Sequence, residues 1–282
     1  MTRLFKLPSY FFKLSAVTVT LLAGAALAPL AHSFGVGVQP ATVEMTIKPG
    51  ENQRQVITIG NVHKEKTISL TISLADWTLD DEGELRLSAP GETERSAADW
   101  VRFSPAIVIL KPETKQEINV EITAPFKLEN TGDHRFALLA TTRLPEDREG
   151  RSGVWNRYQL ASLFYLTSLP AESLPKVETT LVADGAQNIL TVDIDNPGDA
   201  HARLRGNVNI KDTEGELVYS HPFNSVVLDG KSRQLNIALD AADGVVPGED
   251  YNVEFDINNA FVPQNQFKPK PISVAGVSFK AK

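Results

Sequence analysis

The feature that most constrains this chain is a period-two alternation of apolar and polar residues, which recurs along most of its length. Residues 67–74 alternate threonine and serine with isoleucine and leucine, and the pattern returns at residues 190–194, 204–210, 235–239 and 251–257. Successive side chains of a strand point to opposite faces, so each segment predicts a strand with one buried face. Glycine and proline separate these segments, and the pattern predicts antiparallel β-sandwiches.

The two halves of the chain repeat each other's local sequence, which predicts two domains of one kind. ITIGNVHKEKTISL in the first half and VDIDNPGDAHARL in the second each carry an asparagine at the end of a strand. Residues 81–85 and 213–217 share Glu-Gly-Glu-Leu and predict matching hairpin turns, with glycine at positive φ. Residues 132–136 parallel residues 248–252, in which Tyr251 predicts a tyrosine corner with its hydroxyl bonded to nearby backbone.

The boundary between the halves falls in TSLPAESLPK, which has two prolines, no alternation and mostly small residues. Such a composition is typical of a semi-rigid interdomain elbow. We therefore expect an all-β chain of two tandem immunoglobulin-like β-sandwich domains, at residues 34–168 and 176–282, joined by a linker at residues 169–175.

The first 33 residues predict a cleavable secretory signal peptide. Three basic residues lead into an apolar run at residues 14–30, and Ala31 and Ser33 place small residues where a signal peptidase cleaves. A transmembrane anchor is the alternative, but the run is short for a bilayer and contains a glycine and a proline. We expect the mature chain to have no stable membrane span.

Composition excludes several classes of function. The net charge of −7 argues against a nucleic-acid partner, whose phosphates require clusters of Lys and Arg. The chain has no cysteine, so an exported form must be stabilised by packing and not by disulfides. Motifs for a nucleophile elbow, a zinc protease or a phosphate loop are missing from the sequence, so no catalytic residue and no cofactor is predicted.

The remaining polar and aromatic residues have plain structural explanations. The histidines are scattered near expected turns and are expected at the surface, with a metal cluster as the alternative. Acidic stretches at residues 76–84 and 193–199 could hold calcium, but neither has the spacing of a known loop. Trp77 and Trp100 are expected in a sandwich core, whereas Trp155 follows a charged loop and is a candidate contact residue.

Residues 100–142 carry a further pattern: Ser-Pro before an apolar strand, then Leu-Lys-Pro-Glu, an alternating strand, a Thr-Gly corner and another apolar strand. Together they resemble the first domain of PapD-like periplasmic pilus-assembly chaperones. Leu163-Phe164-Tyr165 also matches the end of that domain's last strand. The resemblance implies a periplasmic binding protein and not an enzyme. Its partners would be an exported β-rich fibre subunit and an outer-membrane usher.

The resemblance also implies where the subunit binds. In the family, the last strand of the first domain follows a long loop and pairs with a subunit that lacks its own final strand. Here the loop is residues 144–153 and the strand residues 154–166. The candidate partner-binding residues are Trp155, Arg157, Tyr158, Gln159, Leu160, Ser162 and Thr42.

The sequence departs from the family at its two charged positions. An Arg and a Lys of the family hold the terminal carboxylate of the subunit, and the corresponding residues here are Thr42 and Ser162. Neither can supply a positive charge, so the client is expected to be held without a carboxylate clamp, or by a displaced residue such as Arg157. A structural or adhesive component of an envelope assembly is the alternative function, and an exported enzyme or solute-binding protein is disfavoured.

Overall fold

The alternating segments form strands because each can place one row of apolar side chains against a core. The structure is a computed structural model and describes residues 35–143, 156–185 and 187–282. Within these ranges, four sheets form two sandwiches, and the helical elements are two short 3-10 turns at Ala98–Trp100 and Pro263–Asn265. The prediction of an all-β chain with two immunoglobulin-like sandwiches is confirmed.

The first sandwich consists of a four-stranded and a six-stranded sheet. Its strands are β1 (Val36–Gln39), β2 (Thr42–Thr46), β3 (Asn52–Asn61), β4 (Ile68–Leu79), β5 (Leu85–Ser88), β6 (Val101–Ser104), β7 (Ile107–Leu110), β8 (Lys115–Thr123), β9 (Gly132–Thr142) and β10 (Gln159–Ser168). The smaller sheet has the order β1-β3-β8-β6. The larger has the order β2-β10-β9-β4-β5, with β7 also paired to β4.

The second sandwich consists of a three-stranded and a five-stranded sheet. Its strands are β11 (Lys176–Asp184), β12 (Gln187–Asn196), β13 (Ala202–Lys211), β14 (Leu217–Val227), β15 (Lys231–Ala238), β16 (Asp250–Asn259), β17 (Lys270–Ile272) and β18 (Val277–Lys280). The orders are β11-β12-β15 and β14-β13-β16-β17, and β18 also pairs with β16.

Each sandwich encloses its own apolar core. Phe136 and Phe164 stack in the first core, with ring centroids 4.3 Å apart. Tyr251 and Phe279 stack in the second, with centroids 5.5 Å apart. The Tyr251 hydroxyl accepts the backbone N–H of Val246 at 2.9 Å, which confirms the predicted tyrosine corner. Because the chain has no cysteine, this packing takes the place of disulfides.

Two hairpin turns, one in each sandwich, are built alike. The carbonyl of Asp80 accepts the N–H of Gly83, and that of Asp212 accepts the N–H of Gly215. In both turns the aspartate carboxylate also accepts the N–H four residues later, at 2.7 Å and 2.9 Å. Both glycines have positive φ, 80° and 88°. The prediction of two matching hairpin turns is therefore confirmed.

The two sandwiches meet at an apolar cluster that includes Trp77, Tyr165 and Leu228. The rings of Trp77 and Tyr165 meet edge to face with centroids 4.8 Å apart, and the Trp77 indole N–H donates to the Phe136 carbonyl at 3.0 Å. Trp77 is buried, as expected, but against the second sandwich and not between two sheets. Trp100 packs against the first core.

Residues Val36–Lys282 form one compact unit that contains both sandwiches. β10 ends at Ser168 and β11 begins at Lys176, on either side of the expected linker. The domain limits given above stay predictions. The expected signal peptide lies outside the described residues. Among the described residues, no helix is long and apolar enough to cross a membrane.

Candidate functional site

The two sides of β10 are covered unequally. On one side β10 pairs antiparallel with β9 along its whole length, from Gln159 to Ser168. On the other side β2 pairs with it in parallel over residues 163–167. In the described part of the chain, no strand pairs with residues 159–162 on that second side. We call these four residues the open edge.

Backbone hydrogen bonds show which residues of β10 face this side. The N–H of Leu163 donates to the Ala41 carbonyl at 2.9 Å, and the Thr167 carbonyl accepts the N–H of Ile47 at 3.0 Å. Backbone groups alternate in direction along a strand. Gln159 and Ala161 therefore point their N–H and C=O toward the uncovered side, whereas Leu160 and Ser162 point theirs toward β9.

The expected binding strand, residues 154–166, needs correction. Residues 163–166 are not available to a partner because β2 already pairs with them. The first strand of the sandwich divides between the two sheets: β1 pairs with β3, and β2 continues in the other sheet beside β10. The loop at residues 144–153 and the candidate residue Trp155 lie outside the described residues.

The other candidate residues fall on different surfaces. Arg157, Tyr158 and Gln159 are exposed, and the Gln159 side-chain amide donates to the Thr141 hydroxyl at 3.0 Å. Leu160 packs its side chain against the first core, so its part in binding would be to support the strand. Gln159 and Leu160 thus lie on the open edge, with Arg157 and Tyr158 just before it. The Leu160 side chain points toward the core, whereas the other three residues are exposed.

Thr42 and Ser162 lie side by side where β2 begins to cover β10. Thr42 is opposite Leu163 in the parallel register, and it is exposed. Ser162 is fully buried, and its hydroxyl donates to the Pro40 carbonyl at 2.7 Å. The Ser162 hydroxyl thus already has a partner inside the protein. Both side chains at this point of the edge are neutral.

Beside the covered part of β10, a charged cluster joins the two sandwiches. His201, just before β13, is fully buried; its Nδ1 is 2.6 Å from Asp133 Oδ2 and its Nε2 3.3 Å from Glu44 Oε1. Arg203 Nε donates to the same Glu44 oxygen at 2.7 Å. Asp133 also accepts the hydroxyl of Thr167 at 2.6 Å. We call these groups the junction cluster.

Burial and the neighbouring charges shift the pKa values of the junction cluster in opposite directions. Burial alone would lower the pKa of His201, but the charge of Asp133 and hydrogen bonds to Asp133 and Glu44 raise it overall. Burial alone would raise the pKa of both carboxyls, but their hydrogen bonds and the nearby cations lower it. Burial raises the pKa of the adjacent Tyr165 to about 12.

The expectation that the histidines lie at the surface is wrong for His201 and His134, both of which are buried. Burial is the largest influence on the pKa of His134 and lowers it, although a hydrogen bond to the Asn130 carbonyl acts in the opposite direction. No group of three or more His, Asp or Glu side chains among the described residues is arranged so that it could hold a metal ion. Asp76, in one of the acidic stretches, instead accepts hydrogen bonds from Thr93 and Ser96.

A second ion-pair group also links the sandwiches. Asp229 of the second sandwich pairs with Arg135 and Arg95 of the first, the latter through its Nε at 3.2 Å. The Asp199 carboxylate accepts the hydroxyl of Thr131 at 3.0 Å. The junction is thus fixed at several points.

No family model matches the chain, and no curated protein does. Solved structures of pilus chaperones match nearly its full length at low sequence identity. One is the CsuC–CsuE chaperone–tip adhesion subunit complex of Acinetobacter baumannii, 14% identical, with a TM-score of 0.46, covering 85% of this chain and 97% of that chain. The YadV chaperone is 9% identical, with a TM-score of 0.47 and coverages of 87% and 100%.

A third similar structure is the Salmonella enterica SafA pilin in complex with the SafB chaperone. It is 8% identical, with a TM-score of 0.40, and covers 88% of this chain and 97% of that chain. These similarities assign no role to any residue of this chain.

Proposed function

We propose that this chain is an exported chaperone-like protein that binds a β-rich subunit by pairing a strand of that subunit with the open edge. One observation carries the proposal: β10 is paired with β9 throughout, whereas β2 covers residues 163–167 alone. Unpaired backbone groups at a sheet edge bind an extended partner by β-augmentation. Gln159 and Ala161 supply those groups here.

The open edge suits reversible binding. Each interstrand hydrogen bond contributes about 0.5–1.5 kcal/mol net, so the N–H and C=O groups of two residues alone support weak association. Further affinity would come from client side chains that pack beside the edge, where Ala161 and Leu163 are half-buried. Recognition through the backbone does not require one particular client sequence, which suits a protein that assists several subunits.

The neutral pair beside the open edge bears on how the client is held. Ser162 is bonded to Pro40, and Thr42 carries no charge, so neither can neutralise a terminal carboxylate. We expect binding to be independent of the client's C-terminal carboxylate. Arg157, exposed just before β10, is the first residue to examine as a displaced contact.

The client class and the compartment belong to the same proposal. A signal peptide at residues 1–33 would deliver the mature chain to the periplasm, where exported β-rich subunits fold. Two of the similar structures are complexes of chaperones with a tip adhesion subunit and with a pilin. A fibre subunit of this kind, passed on to an outer-membrane usher, is the client we propose.

A proline substitution tests the open edge directly, because proline has no N–H to donate. Tagged full-length protein is purified from its native compartment, and the co-purifying exported subunits are quantified by mass spectrometry. In Gln159→Pro we expect about a tenfold loss of the captured subunit, since one lost bond and the steric cost of the ring amount to roughly 1–2 kcal/mol.

Ala183→Pro is the matched control. Ala183 is exposed on β11, at the edge of the second sandwich, and the β11–β12 register directs its N–H away from β12. This variant should capture as much subunit as the unmodified protein. If Gln159→Pro is folded and captures the same amount as Ala183→Pro, binding at the open edge is excluded.

A further inference from the structure

His201 is placed to act on the open edge through other residues. It belongs to the second sandwich, yet both of its ring nitrogens face carboxylates of the first: Asp133 on β9 and Glu44 on β2. Its backbone N–H also donates to Asp133 Oδ2, at 2.8 Å. The rings of Phe261 and Tyr165 lie 4.0 Å and 4.2 Å from the imidazole, measured between centroids, and exclude water from it.

This geometry defines the charge of the imidazole. A neutral imidazole has one N–H and one lone pair, so one ring nitrogen would direct a lone pair at a carboxylate oxygen. The imidazolium donates from both nitrogens and satisfies both carboxylates. The titratable and charged groups that face His201 are Asp133, Glu44 and Tyr165 of the first sandwich and Arg203, two residues later on β13.

The same contacts hold together the strands that form the binding site. Glu44 is opposite Tyr165 in the β2–β10 register, two residues after Thr42. Asp133 accepts the Thr167 hydroxyl and so links β9 to the covered part of β10. An imidazolium between Glu44 and Asp133 therefore ties β2 to β9 across the covered part of β10, at residues 165–167.

We propose that His201 is a positioning residue for strand capture: its imidazolium holds β2 in register beside the open edge, and loss of that charge weakens capture. The proposal rests on the proposed function at the same edge. When the imidazole is neutral, Asp133 and Glu44 face each other without a cation between them, and Glu44 retains Arg203 alone. β2 is then held less firmly at Thr42, where a client strand would meet it.

The direction of the pH dependence follows from the geometry and the shifts. The pKa of His201 is raised above its usual 6.5, so the imidazolium persists to a higher pH than in a free histidine and is lost as the pH rises through the raised value. The pKa values of Asp133 and Glu44 are lowered, so both carboxylates stay charged at mildly acidic pH. Capture should therefore be strongest at mildly acidic pH and fall as the pH rises through the raised pKa of His201.

The first measurement follows His201 in the full chain by NMR. Its ring resonances should titrate above 6.5, and the backbone amide of Thr42 should shift with the same midpoint. His134 does not confuse the assignment, because the pKa of that buried ring is lowered. The proposal is overturned if the His201 ring titrates at or below 6.5, or if the Thr42 amide does not shift with it. This test does not depend on whether the His201 variant folds.

The second measurement uses a fluorescent synthetic peptide of alternating threonine and valine as the strand probe. Binding by fluorescence anisotropy should weaken about fivefold to tenfold between mildly acidic and alkaline pH, the usual size of coupling between sites. His201→Gln should bind at the weaker level at both pH values. His221→Gln, half-buried on β14 and outside the junction cluster, should keep the pH dependence of the unmodified protein.

The arms separate the two proposals. If Gln159→Pro abolishes peptide binding but the unmodified protein binds equally at both pH values, the open edge is the site and the role of His201 is refuted. If the peptide does not bind, or Gln159→Pro leaves binding unchanged, the proposed function fails and the role of His201 in capture fails with it.

Discussion

The two sandwiches share their local devices but treat their last strands differently. In the first sandwich, the last strand β10 is one unbroken strand of ten residues, with neither proline nor lysine in it, and β2 covers only part of its outer side. In the second, two short strands, β17 and β18, pair with β16 in separate places, and β17 contains Lys270 and Pro271.

Lysine, proline and short strands are the usual means by which proteins prevent a sheet edge from pairing with another chain. The second sandwich uses all three at its last strands, and the first uses none of them along β10. The contrast teaches that the two sandwiches differ at their last strands: the first leaves part of β10 uncovered, whereas the second divides the corresponding edge between β17 and β18.

The largest expected effect is a loss of stability, and it should differ between two adjacent positions of β10. Leu160 directs its N–H toward β9, so Leu160→Pro removes a ladder bond and disturbs the packing of a core-facing side chain. We expect a loss of unfolding free energy on the order of 3 kcal/mol, measured by urea denaturation. Gln159→Pro, one residue earlier, should lose no more than about 1 kcal/mol. A larger loss in Gln159→Pro than in Leu160→Pro would mean that the strand alternates in the opposite sense.

How much of the fold and of the candidate site could be predicted depends on the distance in sequence between interacting residues. The strands, the two hairpin turns and the corner at Tyr251 are set by residues a few positions apart, and their patterns are visible in the sequence. The covering of residues 163–167 by β2 is not, because local alternation does not state which edge a strand joins. For the same reason, the sequence alone predicted one continuous binding strand at residues 154–166.

The junction cluster escaped prediction for the same physical reason. His201 follows a run of small and polar residues that resembles an exposed turn. What makes its burial tolerable is a carboxylate 68 residues away and another 157 residues away. A buried charge needs partners, and partners so distant leave no spacing to recognise. The alternation of β13 directly after it was the only local hint of a nearby core.

The two sandwiches share a buried asparagine at the end of a strand. Asn61 and Asn196, the two strand-end asparagines of the repeat, are both buried, and each side-chain amide donates to several carbonyls of nearby turns. Each side-chain carbonyl accepts a backbone N–H, at 2.9 Å and 3.0 Å. Asn61→Ala and Asn196→Ala should each lower the unfolding free energy by roughly 2–3 kcal/mol, since several buried groups lose their partners.

Asn119→Ala, at an exposed position on β8, is the control and should change stability by less than about 0.5 kcal/mol. A large loss in one buried variant and none in the other would show that the repeat in sequence is not a repeat in structure. The likeness has one difference already: Asn196 accepts the N–H of Leu174 from the segment between the sandwiches, whereas Asn61 bonds within its own sandwich.

The smallest effect concerns the corner at Tyr251, in the second sandwich. Its hydroxyl accepts the Val246 N–H at 2.9 Å while its ring remains stacked on Phe279. Tyr251→Phe keeps the ring and removes one hydrogen bond, so the unfolding free energy should fall by about 1 kcal/mol. Tyr158→Phe provides the comparison from the first sandwich: Tyr158 is exposed and its hydroxyl accepts the Asn156 side-chain amide at 3.4 Å, so the expected change is less than about 0.5 kcal/mol. Urea denaturation of both variants measures the difference. Equal stability of the two variants would show that the hydrogen bond of the Tyr251 hydroxyl does not stabilise the second sandwich.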